Sequence, residues 1–170
     1  MPASSHTSSE RSTDRSTSAK AVEATKLLSA DHKEVKKLFK DYEKLVKAEG
    51  ADEEKQALAE QICTMLTVHA TIEEEIFYPA AREAMEEQDL LDEAEVEHAS
   101  AKDLIAQIRG MSPSDELYDA KVTVLGEYVD HHVQEEEKEL FVKVRKADID
   151  LKEIGMALES RKQQLMNEMV

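Results

Sequence analysis

The stretch that decides the fold is Leu58–Pro79, which reads LAEQICTMLTVHATIEEEIFYP. Leu58, Ile62, Met65 and Ile76 recur in steps that keep them on one face of an α-helix, and His69 and Glu73 stand on that same face. The same rhythm runs outward in both directions. Upstream, Leu28, His32, Val35, Phe39, Tyr42 and Val46 form one stripe. Downstream, Leu91, Ala94, His98, Ala101, Ile105 and Ile108 form a second, and Val122, Leu125, Val129, His132, Glu136 and Leu140 a third. Each long stripe carries one imidazole on its apolar face, and two of them place a carboxylate one turn later.

The pattern predicts an all-α protein, an up-down-up-down four-helix bundle with a disordered N-terminal tail and an extra C-terminal helix. Residues 1–20 carry Ser or Thr at ten positions and have nothing to bury, which makes them the tail. Residues 21–147 form the bundle and 148–170 a helix packed on its outside. Within the bundle, Ala21 to Leu28 reads as a short leading helix. The first long helix spans about 30–48, entered through Ser29 or Asp31 and left at Gly50. The second runs from a cap at Asp52 to about 85 with a kink at Pro79, and the third covers about 89–109 and stops at Gly110. Ser112-Pro113-Ser114-Asp115 opens the fourth, which reaches about 145, and Asp150 with Glu153 opens the last.

One depth does not match. His32 and His69 lie 18 and 19 residues from Gly50, so a tight turn there brings them level. His98 lies 12 residues before Gly110, whereas His132 lies 19 after Pro113, a difference of about 10 Å along straight helices. Either residues 113–117 do not extend the fourth helix or its boundaries differ from these.

Composition excludes several function classes. The chain has 170 residues, with Lys+Arg 22 against Asp+Glu 38 and a net charge of −16, which repels phosphate backbones, so no nucleic-acid partner is expected. Four Gly and three Pro are too few for the turns of a β-rich fold. No apolar run approaches the roughly 18–20 residues of a membrane span, and no membrane partner is expected. Cys63 stands alone, so no internal disulfide forms, and a reducing cytoplasm is the expected compartment. Cys63 reads as a core neighbour of Ile62.

The buried stripes carry the chemistry. Burying Glu73 and Glu136 costs several kcal/mol each unless a cation compensates, and no Lys or Arg lies on these faces. Four imidazoles and two carboxylates make six N/O ligands, too many for one zinc and suited to two iron or manganese ions bridged by carboxylates. His131 with Glu135 repeats the spacing of His132 with Glu136 but falls about 100° off the stripe, which places it in an outer or surface position. The glutamate runs at 73–75 and 135–137 read as solvated surface with one inward member each.

In Asp31-His32, His69-x-x-x-Glu73, Glu97-His98 and His132-x-x-x-Glu136 the chain resembles the hemerythrin-like proteins with an HHE cation-binding domain, over about residues 21–147. The two halves form a degenerate repeat. The resemblance implies a non-haem di-iron centre with two iron ions, His32, His69, His98 and His132 as terminal ligands and Glu73 and Glu136 as bridges. Oxygen-carrying members have a fifth histidine one turn after the third, where this chain has Lys102, a departure that counts against reversible oxygen carriage.

The expected function is a binding protein for oxygen or another small diatomic ligand, in sensing, storage or delivery. The alternatives are an enzyme that decomposes peroxide or handles nitric oxide, and a role in iron sensing or homeostasis. The residues do not separate a binding protein from an enzyme. A ferritin-like centre needs Glu-x-x-His on two helices, and only Glu95-Val-Glu-His98 supplies it. Tyr42 and Tyr78 lie on or near core faces, where a hydroxyl can donate to an iron-bound ligand.

Overall fold

The computed structural model describes residues 22–169, so the predicted tail lies outside the described residues. Seven helical segments follow in order: α1 (Ala24–Lys47), α2 (Asp52–Ile72), α3 (Tyr78–Ala84), α4 (Asp89–Arg109), α5 (Tyr118–Glu135), α6 (Phe141–Lys146) and α7 (Leu151–Glu168). The segments α2 and α3 are one continuous rod joined by a π-helical turn, Glu73–Phe77, and Glu136–Leu140 joins α5 to α6 in the same way. Two long hairpins therefore pair into a four-helix bundle, and α7 lies against α1, α2 and the first π turn.

The first long helix begins earlier than its cap signals predict. Glu23 caps it, its carboxylate accepting from the Thr25 amide at 2.5 Å and the Lys26 amide at 3.2 Å. Ala24–Leu28 is thus the first turn of α1 and not a separate helix, and Ser29 and Asp31 lie inside it. At its far end Glu49, not Gly50, takes the left-handed conformation, with φ 53°, while the Gly50 amide returns to the Leu45 carbonyl at 2.9 Å. A Cβ at Gly50 would stand 2.2 Å from Leu45 Cδ1, so a larger residue there requires the Leu45 side chain to shift. Ala51 is the cap of α2, and Asp52, Glu53 and Glu54 place their charges in its first turn, where they favour the helix dipole. The third helix and the Asp150 cap of α7 stand where the sequence puts them.

Residues 113–117 form turns and α5 starts only at Tyr118, because the Asp115 carboxylate folds back onto the Ser112 amide at 2.9 Å. His132 is then 14 residues into its helix and His98 11 from the end of α4, which removes most of the mismatch in depth.

The interior is divided into two apolar plugs. One gathers Leu28, Ile72, Phe77, Leu91, Phe141 and Leu158. The other gathers Leu38, Tyr42, Ile62, Ile105, Tyr118 and Leu125, with Cys63 buried beside Ile62 and its thiol pushed up to about 11 by that burial. Between the plugs lies a belt of buried polar residues: Asp31, His32, His69, Glu73, His98 and Glu136, with half-buried His132. Among the described residues no helix is long and apolar enough to cross a membrane.

Candidate metal centre

Each histidine reaches the belt from a different long helix, and all four direct Nε2 inward. His32 and His69 face each other with Nε2 atoms 3.2 Å apart, His98 and His132 with theirs 3.3 Å apart. The two pairs have the same geometry, ring centroids 4.9 Å apart at 61°. Two imidazole nitrogens this close repel unless a proton or a metal ion lies between them.

The carboxylates span the pairs. Glu136 places Oε1 3.3 Å from His32 Nε2 and Oε2 3.1 Å from His132 Nε2. Glu73 Oε1 lies 2.9 Å from His69 Nε2 and 3.5 Å from His98 Nε2. The structure thus brings all six sequence-selected residues together, as the trios His32, His69, Glu136 and Glu73, His98, His132.

Both oxygens of Glu73, and Oε1 of Glu136, are buried without a hydrogen-bond partner among the described residues. Leaving such groups unpaired costs about 1–3 kcal/mol each, more when charged, and a bound cation removes the cost. Two imidazoles and the two carboxylates near each position would suit ions that accept mixed N/O donors. Burial alone would lower the His69 pKa, but the charge of Glu73 and the hydrogen bonds to Asp31 and Glu73 outweigh it and raise the value well above 6.5. Burial opposes His132 in the same way, and Glu136, Glu73 and Glu97 lift it to about 9. Glu73 is held well below its ordinary value, against its own burial, by His69.

Three imidazoles are also held from behind by a hydrogen-bonded carboxylate, and the fourth, His98, has Glu74 nearby without a hydrogen bond, its Nδ1 unpaired among the described residues. His69 Nδ1 lies 3.0 Å from Asp31 Oδ2 and His132 Nδ1 3.3 Å from Glu97 Oε2. His32 Nδ1 lies 3.1 Å from Glu137 Oε1 and His98 Nδ1 3.5 Å from Glu74 Oε2. Such partners fix ring orientation and raise ligand basicity. Sequence reasoning missed these four, taking the glutamate runs to turn one member inward where two turn in. The signal was the repeat itself: the acid before the first histidine of each half serves the second, and the acid after each bridging glutamate serves the first histidine of the other half.

The π turns explain how Glu73 and Tyr78 share a site. Five residues along a regular α-helix turn a side chain about 140° away, whereas in the π turn the Tyr78 amide bonds the Glu73 carbonyl and Tyr78 stays beneath it. Its hydroxyl donates to Glu136 Oε2 at 2.6 Å and lies 3.2 and 3.4 Å from Nε2 of His98 and His132. Burial, with the charges of Glu136 and Glu73, raises the Tyr78 pKa far above 10 and keeps it a donor. Phe141 occupies the equivalent position in the second half and stacks on His32 at 5.9 Å. Tyr42 points elsewhere, donating to Asp119 at 2.7 Å. His131 is exposed and paired with Glu135 at 3.1 Å, outside the two trios. Lys102 also turns outward, to Glu74 at 2.5 Å.

The family model of the hemerythrin HHE cation binding domain matches residues 23–144, and the chain belongs to that family. Its fold is similar to the crystal structure of a hemerythrin HHE cation binding domain-containing protein from Mycobacterium kansasii, with a TM-score of 0.72 and 24% identity over 86% of this chain and 89% of that one. A DNA nickase of Nostoc sp. is 35% identical over 116 residues, 68% of this chain. The match spans only 31% of that nickase's length.

Proposed function

We propose that the chain is a non-haem di-iron protein whose two iron ions are held by His32, His69, Glu73, His98, His132 and Glu136, and that it binds oxygen or another small diatomic for sensing, storage or delivery. One observation carries the reading: each buried carboxylate reaches across both histidine pairs, and three of their four oxygens have no hydrogen-bond partner among the described residues. Once bound, such a pair would supply two redox-active Lewis-acidic ions in a site that lies between the two apolar plugs. The functional unit is residues 21–147, with 148–170 as an added helix and the cytoplasm as its compartment. The nicking activity named for the Nostoc protein is not carried over, since the shared segment is under a third of that protein and this chain's net charge of −16 disfavours DNA.

A second reading, an enzyme acting on peroxide or nitric oxide, is favoured by Tyr78. Its hydroxyl is a buried proton donor aimed at the His98/His132 position, and among the described residues no such group serves the His32/His69 position, where Phe141 stands. Lys102 in place of a fifth histidine adds to it.

Metal content per chain, with the absorption spectrum taken without air and then in air, tests the proposal. Two irons per chain with a reversible band on aeration support a binding protein, and turnover of peroxide in proportion to iron supports the enzyme. Absence of stoichiometric iron after anaerobic reconstitution removes both. His132→Ala loses iron while His131→Ala keeps it; equal loss in both would overturn the ligand assignment.

A further inference from the structure

Beside the centre a cleft open to solvent cuts into the bundle. A cavity of about 690 Å³ reaches all four imidazoles, His32, His69, His98 and His132, which form its floor. Its walls come from all four long helices, with Val35 on α1, Met65 and Leu66 on α2, Ala101 on α4, and Val129 and Val133 on α5. These side chains point at the bundle axis, yet all but Val35 are only partly buried, because the facing walls do not meet. A diatomic ligand is about the size of one water, whereas this cavity holds on the order of twenty water volumes. It falls within the range of about 300–1,000 Å³ typical of sites for organic molecules.

The polar groups narrow the occupant. Thr67 lines the wall, but its hydroxyl is spent on the Cys63 carbonyl at 2.7 Å. Lys102, where the resemblance places a fifth histidine, turns to Glu74 and does not reach across the floor. Ser100 and Tyr128 also line it, but both are exposed to solvent, and the Ser100 hydroxyl donates to the Val96 carbonyl at 3.3 Å. Away from solvent, polar attachment is concentrated at the end ringed by the imidazoles, which calls for a molecule with one polar terminus and an apolar body. Asp92, Glu93, Glu97 and Glu135 line the cavity against Lys102 and His131, in a chain of net charge −16. That field disfavours anions and admits neutral molecules.

We propose that the cavity receives a neutral organic molecule with an apolar body and a single hydroxyl or hydroperoxyl end, the oxygen end lying against the four imidazoles. The assignment extends the reading of those imidazoles as a ligand-binding centre and names its ligand class. It is tested with the full chain, iron-loaded and metal-free, by calorimetry and ligand-observed NMR using 2-phenylpropan-2-ol, with benzoate as an anion of similar size. The expected result is saturable one-to-one binding of the alcohol, at least tenfold tighter than benzoate. Ala101→Phe fills the cavity and weakens that binding tenfold or more while iron per chain stays unchanged. Val129→Phe fills it from the opposite wall and replaces Ala101→Phe if the latter does not fold.

A change in the spectrum of the iron-loaded centre with cumene hydroperoxide alone identifies the hydroperoxyl end as the one recognised, and the same change with the alcohol identifies the hydroxyl. No saturable binding by the full chain, equal binding of benzoate, or binding unaltered by filling overturns the proposal. Alcohol binding without stoichiometric iron would remove the di-iron reading and leave the cavity assignment standing. Two irons without alcohol binding would do the reverse.

Discussion

Tyr78 is the side chain that makes the two positions of the centre chemically different. Its hydroxyl donates to Glu136 and touches both His98 and His132, while Phe141 offers His32 only a ring face. Tyr78→Phe removes the donor with little change of shape, so metal content is expected to stay at the wild-type value. The spectrum and the rate of reaction with peroxide should change by tenfold or more if proton donation contributes at the usual scale of general acid catalysis. An unchanged rate would reduce Tyr78 to packing.

His132 carries the pH dependence. Its pKa in the folded, metal-free chain is raised to about 9 from 6.5, against its own burial, by Glu136, Glu73 and Glu97. A raised value means that the folded state holds the proton more tightly than the unfolded chain. The stabilisation is fully present below about pH 6.5 and is lost as pH rises through 9. The Tm of the metal-free protein should fall across that interval, and metal loading, which displaces the proton, should flatten the fall. A Tm that is flat without metal would contradict the assignment.

At the scale of elements, Pro79 and the π turn beside it look like cause and effect, but the second half argues otherwise. The Phe141 amide bonds the Glu136 carbonyl as the Tyr78 amide bonds that of Glu73, and the second turn has no proline. What the two turns share is an inward glutamate, its neighbour and an aromatic seated on one side. Pro79→Ala should therefore keep both irons and change stability by no more than about 1 kcal/mol. Loss of one iron would show that the proline sets the turn.

The same elements show what the sequence made legible. The four stripes, and with them the bundle and the six inward residues, could be read because burial imposes a 3.6-residue period on side-chain chemistry. Helix ends could not, since they depend on single competing hydrogen bonds. Glu23 caps α1 in preference to Ser29, and Asp115 turns back on Ser112 when it could have started a helix. Asp31, Glu74, Glu97 and Glu137 were hidden because an acid at a stripe's edge looks solvated until the facing helix is in place. The π turns were invisible, because nothing in the composition of 73–77 or 136–140 distinguishes a five-residue turn from a regular one.

Across the whole molecule the two halves mirror each other at the centre, and α7 breaks that symmetry on one side only. Gly155 lets it press onto the start of α1, where a Cβ would stand 2.0 Å from the Val22 carbonyl oxygen, and Leu158 is fully buried beneath it. From there Lys162 reaches Asp31 at 2.6 Å, and Arg161 grips Glu75 of the first π turn at 2.7 and 3.2 Å. The His69 position is thereby braced through Asp31 by a residue 131 positions away, while Glu97 behind His132 has no such lysine among the described residues. Partners that orient a ligand from behind are typically worth 10–100-fold in metal affinity. Lys162→Met should then weaken one iron of the two by about tenfold in a chelator competition, and Lys162→Arg should restore most of it. A uniform weakening of both irons, or a drop in Tm with no change in either affinity, would show that α7 supports the fold without reaching the centre.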